Sequence, residues 1–197
     1  LAGRARSYQG FINNDRWQRS SYFCNLDFPM MELSGKTFGV VGYGSLGQAT
    51  ATIAKAFGME ILIAERPNAT NIRPGRVSIE NLMVNSDVIS LHCPLNSDTH
   101  HLINQQSLKL MKSTALLINS ARGGLIDEAA LVDALKRGEL AGAGLDVLSQ
   151  EPPVNGNVLL NYQGENLIIT PHIAWATVEA RTRLVESLAN NIKQAIS

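Results

Sequence analysis

The sequence has little that marks a protein for a membrane, a nucleic acid or an oxidising compartment. It contains no apolar run as long as a bilayer span, and we expect no signal peptide. Its 17 basic residues are balanced by 17 acidic ones, which argues against partners such as nucleic acid or an acidic membrane surface. The two cysteines, Cys24 and Cys93, lack metal-ligand spacing, so we expect no metal site. We interpret them as reduced thiols of a cytoplasmic protein, although one disulfide also fits the sequence.

One glycine-rich stretch organises the chain. A strand-like apolar run ends in Gly-Tyr-Gly-Ser-Leu-Gly at residues 42–47, and a helix-forming run follows at once. Gly42 permits a tight turn, Gly44 lets the backbone approach a pyrophosphate, and Gly47 lets the helix pack closely on the strand. A second apolar run ends about twenty residues later at Glu65, whose carboxylate can accept hydrogen bonds from a ribose diol. These features predict dinucleotide binding, although the glycines alone also fit a turn in another α/β protein.

Short apolar runs alternate with helical patterns from residue 33 onward. The runs are mostly apolar throughout rather than alternating, which is typical of parallel strands covered by helices on both faces. Right-handed crossovers then predict an α/β fold with a doubly wound, Rossmann-like parallel sheet, most simply of order 3-2-1-4-5-6. The strands are expected at residues 37–41, 61–64, 87–92, 115–119, 141–147 and 167–170.

Polar residues gather where these strands end. Ligands of doubly wound sheets bind beyond the carboxyl ends of the strands, so residues at those ends should line one edge of the domain. The residues concerned are Glu65, His92, Cys93, Asn119, Arg122, Asp146, Glu151 and His172.

Three of these residues form a plausible acid-base and anion-binding set. The planar fork of Arg122 suits a carboxylate, and the two glycines after it leave room for a small substrate. A carboxylate such as Glu151 can fix the tautomer of an imidazole such as His172 and favour its protonated form, as a proton donor to a carbonyl requires. Each residue also has a simpler interpretation: Arg122 could pair with Asp127, Glu151 could be a solvated loop residue, and His172 could be a core histidine.

The motifs together resemble the nicotinamide-binding domain of the D-2-hydroxyacid dehydrogenases, from about residue 17 to residue 196. The similarity is carried, in order, by the segments 42–47, 92–95, 119–124, 144–147, 151–153 and 170–173. Within the family, segments 146–153 and 172–177 are most similar to those of glycerate dehydrogenases, also called hydroxypyruvate reductases. A formate dehydrogenase-like member fits less well, because that chemistry transfers no proton and its members normally have Gln at the position of Glu151.

The resemblance implies a role for each site residue. Arg122 would hold the carboxylate of a small 2-keto or 2-hydroxy acid, His172 would exchange the proton, and Glu151 would tune His172. Asp146 would bind the nicotinamide carboxamide and Glu65 the adenosine ribose. The cofactor site is expected to comprise Gly42, Tyr43, Gly44, Ser45, Leu46, Gly47, Glu65, Arg66, His92, Cys93, Pro94, Thr99, Asn119, Ser120, Ala121, Asp146, His172 and Ala174.

The cofactor is expected to be NAD, because Glu65 repels a 2′-phosphate. Arg66, the next residue, could instead accommodate that phosphate, so NADP stays open as the less favoured cofactor.

The two ends differ from the middle. Residues 1–32 mix arginines with aromatic residues, which indicates an arm packing over another surface, although such a mixture also occurs in proteins that bind single-stranded nucleic acid. The chain begins at Leu1 and stops at Ser197 within a helical pattern, which suggests a piece of a longer protein. We expect an arm or interdomain helix at 1–32, a dinucleotide-binding domain at 33–174, and a helix at 175–197 leading to a further domain.

The resemblance also implies a second domain that completes the substrate cleft, and a homodimer formed through the nucleotide-binding domain with its arm crossing to the partner. Two hypotheses therefore follow for function. The chain is the cofactor-binding part of a dehydrogenase, or it is a non-catalytic NAD(H)-sensing module or an inactive fragment.

Overall fold

The computed structural model describes residues 1–196 of the chain and contains a single parallel sheet flanked by helices. The strands are β1 (Thr37–Val41), β2 (Glu60–Ile63), β3 (Val88–Leu91), β4 (Leu116–Asn119), β5 (Gly142–Leu145) and β6 (Leu167–Ile169). The α-helices are α1 (Ala5–Asn13), α2 (Ser45–Ala56), α3 (Ile79–Asn85), α4 (Gln105–Leu110), α5 (Glu128–Arg137) and α6 (Val178–Ile196), and a short 3-10 helix covers Gly123–Leu125.

The strand order is β2-β1-β3-β4-β5-β6, and every neighbouring pair is parallel. The doubly wound α/β fold is therefore confirmed, but the predicted order 3-2-1-4-5-6 is wrong, because β3 lies between β1 and β4. A parallel bridge joins Ala64, just after β2, to Val77. This bridge occupies the outer position that the prediction gave to the third strand. The turn at residues 73–76 and the start of α3 at Ile79 leave no length there for a full strand.

The core has two parts because successive side chains of a strand point to opposite faces of the sheet. On one face, Ile89 and Leu117 are buried against α3, α4 and α5. On the other face, Val40 and Leu116 pack with α2 and with residues near the N-terminus. Burial on both faces explains why the strands are mostly apolar rather than alternating, as the sequence indicated.

The two ends of α5 follow the sequence signals. Asp127 caps its N-terminus by accepting a hydrogen bond from the backbone N–H of Ala130 at 3.1 Å. Gly138 ends the helix in a left-handed conformation with φ of 68°. The Asp127 carboxylate is thus used as a cap, and the described residues contain no ion pair between it and Arg122.

The N-terminal segment packs on the sheet only in part. The side chains of Leu1 and Ala2 contact the part of the core that contains Val40 and Leu116. Ser7 donates a hydrogen bond to Glu165 at 2.8 Å. Of the aromatic residues that follow, Phe11 is buried, whereas Trp17, Tyr22 and Phe23 are exposed, with Phe23 92% exposed. This segment thus includes a tethered helix and a stretch, residues 17–23, whose aromatic side chains are largely exposed.

The C-terminal helix α6 has no buried residue. An apolar stripe runs along the helix but is exposed, and it consists of Val178, Val185, Leu188 and Ile192. In the part of the chain that is described, no helix is both long and apolar enough for a bilayer.

Candidate active site

All six strands end at the same edge of the sheet because they are parallel. The segments after these ends carry the polar residues singled out in the sequence, as the strand-end rule predicted. They divide into a nucleotide side, after β1, β2 and β3, and an acid-base side, after β4, β5 and β6.

The glycine-rich turn after β1 has the features needed for a phosphate. Gly42 has φ of 95°, and a side chain there would lie 2.5 Å from the backbone nitrogen of Cys93. A side chain at Gly47 would collide with the carbonyl of Gly42, whereas Gly44 faces open space. Helix α2 begins at Ser45 without a side-chain cap, so its first N–H groups remain available to an anion.

A cavity of about 560 Å³ lies beside this turn. It extends from Gly42, Tyr43 and Gly44 to the residues that follow β2 and β3. Among the predicted cofactor residues, the further lining residues are Glu65, Arg66, Cys93, Pro94 and Thr99. An open turn, an uncapped helix and an adjoining cavity together fit a dinucleotide.

Glu65 is placed at the end of β2 as predicted, but its carboxylate is already bound. It is 4% exposed and accepts hydrogen bonds from the side chain of Arg73, 2.7 Å from Nε. The sequence analysis did not identify Arg73 as a neighbour of Glu65.

His92 and Thr99 have internal roles. The His92 Nε2 atom lies 2.9 Å from the Ser90 hydroxyl, and His92 does not line the cavity. Thr99 is buried and donates to the carbonyl of Pro94 at 2.7 Å, so it shapes the cavity wall. Burial lowers the pKa of His92 and raises the pKa of the Cys93 thiol. Both groups are therefore neutral near pH 7 and leave the charge of the cavity to other residues.

The turn after β4 is held by Asn119. This buried amide donates to the carbonyl of Arg122 at 2.9 Å and accepts from the N–H of Ala121 at 3.0 Å. Arg122 itself is exposed, and its Nη1 donates to the carbonyl of Ala121 at 2.6 Å. Ser120 is also exposed. Asn119 therefore fixes the loop that presents the Arg122 guanidinium.

Gly123 brings the Arg122 loop against the loop after β5. A side chain at Gly123 would overlap the backbone of Leu148 and Ser149. Only glycine allows this close approach, which places Arg122 beside the segment that carries Glu151. No hydrogen bond or ion pair joins Arg122 to Glu151 or His172 among residues 1–196.

His172 and Glu151 form the pair that the sequence predicted. The His172 Nδ1 atom lies 2.8 Å from Oε2 of Glu151, and the other carboxylate oxygen accepts from the N–H of Leu148 at 2.9 Å. The two side chains are 41% and 34% exposed. His172 is therefore not a core histidine, and Glu151 is not merely a solvated loop residue.

Asp146 fixes the backbone around His172. Its two oxygens accept hydrogen bonds from the Thr170 hydroxyl and from the N–H groups of Ile173 and Ala174, the latter two at 2.9 and 2.8 Å. Its main-chain carbonyl accepts from the N–H of His172 at 2.8 Å. Burial by itself raises the pKa of Asp146, but these hydrogen bonds outweigh it, and the pKa lies below its ordinary value.

This lowered pKa predicts a pH-dependent effect of Asp146→Asn. Above pH 4 the wild-type carboxylate is ionised and accepts all three bonds, whereas an amide loses an acceptor, so we expect the variant to be less stable by about 1–3 kcal/mol. A group with a lowered folded pKa loses its stabilisation as the pH falls, so the difference should shrink below about pH 4. Urea unfolding of both proteins at pH 7 and pH 3 measures this difference in the free energy of unfolding. An equal difference at both pH values would contradict the prediction.

The sequence reasoning also missed Glu128, in the first turn of α5. Its carboxylate accepts from the N–H and the hydroxyl of Ser149, both at 2.7 Å, and from Asn157 Nδ2 at 2.8 Å. These bonds anchor the loop that carries Glu151. An acidic residue in a first helical turn is common, so no signal in the sequence separated Glu128 from ordinary helix-stabilising carboxylates.

We expect Glu128→Gln to loosen this loop and lower the free energy of unfolding by about 1–2 kcal/mol, since it removes the charge from several bonds. The melting temperature should fall by about 2–8 °C. Glu179→Gln, at an exposed position in the first turn of α6, is the matched control and should change little. Equal melting temperatures for both variants would show that Glu128 does not hold the loop.

Comparison with known proteins agrees with this geometry. The sequence profile of the family described as "D-isomer specific 2-hydroxyacid dehydrogenase, NAD binding domain" matches residues 4–174. The chain belongs to this family.

Individual members of the D-2-hydroxyacid dehydrogenase family are similar over most of the chain. Glycerate dehydrogenase of Methylorubrum extorquens is 44% identical over 192 residues, which cover 96% of this chain and 59% of that protein. Hydroxypyruvate reductase of Blautia hydrogenotrophica is 42% identical over 186 residues, covering 93% and 57%. The crystal structure of D-lactate dehydrogenase from Aquifex aeolicus, complexed with NAD and lactic acid, superposes with a TM-score of 0.86 at 32% identity, covering 100% of this chain and 62% of that one.

The chain thus contains the NAD-binding domain of this family and spans less than two thirds of the length of the relatives it matches.

Proposed function

We propose that this protein interconverts a 2-keto acid and a D-2-hydroxy acid with NAD(H), and that hydroxypyruvate and D-glycerate are the pair. The observation that carries the proposal is the hydrogen-bonded His172–Glu151 pair, which lies at the same sheet edge as the glycine-rich turn. The names of the glycerate dehydrogenase and hydroxypyruvate reductase relatives support this choice of substrate.

His172 is proposed to exchange the proton. A carboxylate only accepts hydrogen bonds, so the ring nitrogen that faces Glu151, Nδ1, carries the hydrogen. The other nitrogen, Nε2, is then the atom that gives a proton to the substrate carbonyl oxygen in reduction and removes it from the hydroxyl in oxidation. Glu151 holds the ring in this orientation.

Arg122 is proposed to bind the substrate carboxylate. Among residues 1–196, only one of its terminal nitrogens has a hydrogen bond, to the carbonyl of Ala121, so the rest of the planar fork is available for an acid group. Binding there would orient the neighbouring carbonyl toward His172. When bound, the nicotinamide supplies or accepts the hydride at the substrate carbon. The other predicted cofactor contacts remain part of the same proposal, including Asp146 to the carboxamide. The predicted contact of Glu65 with the ribose is the exception, because Arg73 already occupies that carboxylate.

The test is hydroxypyruvate-dependent oxidation of NADH. It should be measured for this chain and for a chimera in which the chain replaces the matching region of the M. extorquens glycerate dehydrogenase. Turnover by either protein supports the proposal. If both bind NADH saturably but neither turns over any 2-keto acid, the alternative of an NAD(H)-sensing module replaces it.

The proposal also covers the domain organisation, the oligomeric state and the cellular location of the protein. Residues 33–174 form the dinucleotide-binding domain, and residues 1–32 and 175–197 lead toward a second domain. The chain forms a homodimer, which would cover the exposed apolar residues of α6 and of the N-terminal segment. Light scattering during size-exclusion chromatography tests this, because a monomeric mass would exclude the dimer. A cytoplasmic location fits the free thiols Cys24 and Cys93 and can be checked by cell fractionation.

A further inference from the structure

The carboxylate of Glu65 has no free capacity for a ribose diol. Its Oε1 accepts from the N–H of Arg66 at 2.8 Å and from Nη2 of Arg73. Its Oε2 accepts from Nε of Arg73 at 2.7 Å and from the Arg73 N–H at 3.3 Å. The Glu65 side chain is only 3% exposed. Four donors therefore occupy the acceptor positions that two ribose hydroxyls would need.

The charge of Glu65 is neutralised as well. The hydrogen bond from the Arg73 side chain, assisted by the Arg66 N–H, holds the pKa of Glu65 far below its usual range, so the group stays ionised. Its negative charge is matched by the guanidinium of Arg73 in a two-pronged ion pair. The repulsion that an isolated carboxylate would exert on a phosphate is therefore largely removed.

Further cationic groups surround this pair. Arg66 and Arg76 line the same cavity, and Nε of Arg76 lies 4.0 Å from Oε2 of Glu65. Nη1 of Arg76 donates to the carbonyl of Ala64 at 3.1 Å, which anchors that side chain. The Arg66 guanidinium has no ion-pair partner within residues 1–196. Three arginines thus face two carboxylates in the cavity, Glu65 and the exposed Asp98.

We propose that Arg73, by neutralising Glu65, makes the ribose end of the cavity accept a 2′-phosphate, so that the chain binds NADP(H) as well as NAD(H). Arg66, Arg73 and Arg76 are the proposed phosphate ligands. This inference rests on the proposed function, since it assumes that the cavity beside the glycine-rich turn holds the adenosine half of the cofactor.

The chemistry of the group explains why arginines are required. A 2′-phosphate carries between one and two negative charges near neutral pH and offers three acceptor oxygens. Arginine forks bind such oxygens with two parallel N–H bonds, and the half-exposed side chain of Arg73 can donate to both Glu65 and a phosphate. The competing explanation is that Arg73 merely holds the loop between β2 and α3 in place.

The experiment is to measure the affinity of the 197-residue chain for NADH and NADPH by calorimetry at one fixed ionic strength. We expect the two dissociation constants to lie within about tenfold of each other. Arg73→Gln should weaken NADPH binding at least tenfold and leave NADH binding unchanged or tighter, because Glu65 becomes free for the ribose and again repels phosphate. Arg66→Gln, which removes no internal hydrogen bond of its side chain, should weaken NADPH alone by about threefold or more.

Arg137→Gln is the matched control, because Arg137 forms a similar ion pair with Glu139, 2.8 Å from Nε, outside the cavity. It should change neither affinity. NADPH binding more than a hundredfold weaker than NADH binding would overturn the inference. An equal loss of both affinities in Arg73→Gln with none in Arg66→Gln would overturn it too, in favour of a purely structural Arg73. If a correctly folded chain binds neither nucleotide, the proposed function fails at its cofactor site.

Discussion

Replacing His172 by asparagine should reduce hydroxypyruvate turnover by about a thousandfold while NADH affinity changes less than twofold. General acid-base catalysis contributes roughly 10² to 10⁴ in rate, and the proposed proton donor would be lost. Asparagine is the suitable substitute because His172 has φ of 54°, and asparagine is among the residues that adopt this left-handed conformation most readily. The measurement is kcat in the chimera together with NADH titration of the chain.

His100→Asn provides the control for this prediction. His100 is exposed and lies between β3 and α4, on the segment that follows a strand of the nucleotide side. Its replacement should leave kcat unchanged. If His172→Asn retains wild-type turnover, the proton comes from another group and the assignment of the His172–Glu151 pair is wrong.

Adding a methyl group to Gly44 should abolish most cofactor binding without destabilising the fold. Apart from the neighbouring residues in the chain, a Cβ at Gly44 meets no atom of residues 1–196 within 4 Å, and the residue has an ordinary φ of −82°. We therefore expect the melting temperature to change by less than about 2 °C. A pyrophosphate approaching the start of α2 would meet this methyl group, so NADH affinity should fall at least tenfold.

Gly47→Ala should behave differently. Its methyl group would collide with the carbonyl of Gly42, so α2 must shift away from β1 at a cost of about 1–3 kcal/mol. Thermal unfolding and NADH titration of both variants separate the two roles. If Gly44→Ala binds NADH like the wild type, the cofactor does not pass this glycine, and the assignment of the turn must be abandoned.

The sheet could be predicted well from sequence because its signals are local. Apolar runs, glycine turns and the caps at Asp127 and Gly138 each depend on a few adjacent residues. The strand order could not be predicted in the same way. Nothing near Val77 indicates that the outer position would be reduced to one bridge, since that depends on how far the chain travels between β2 and α3.

The candidate site, like the sheet, has features that could be predicted from the sequence and features that could not. His172, Glu151 and Arg122 follow from strand ends and from the family resemblance. The partners that hold the site in place do not, because they are distant in sequence or lie in segments with ordinary turn and helix signals. Glu128 reaches Ser149 across 21 residues, and Arg73 reaches back to Glu65 across eight. The first contact forms only when the segments after neighbouring strands β4 and β5 meet, and the second depends on how the connection between β2 and α3 folds back on itself.

The contact at Gly123 has a consequence for how substrate range can evolve. With no space for a methyl group between the Arg122 loop and the backbone of Leu148 and Ser149, these two loops pack directly against each other as one unit. In the proposed chemistry, this unit places Arg122, which binds the substrate carboxylate, beside the loop of Glu151, the partner of His172. The distance between the carboxylate and the carbonyl of the substrate is the same in every 2-keto acid. The part of the substrate that all 2-keto acids share is therefore bound at a fixed spacing in this domain. Selection between the side chains of different substrates then depends on surfaces outside this unit, and those surfaces can change without disturbing proton transfer.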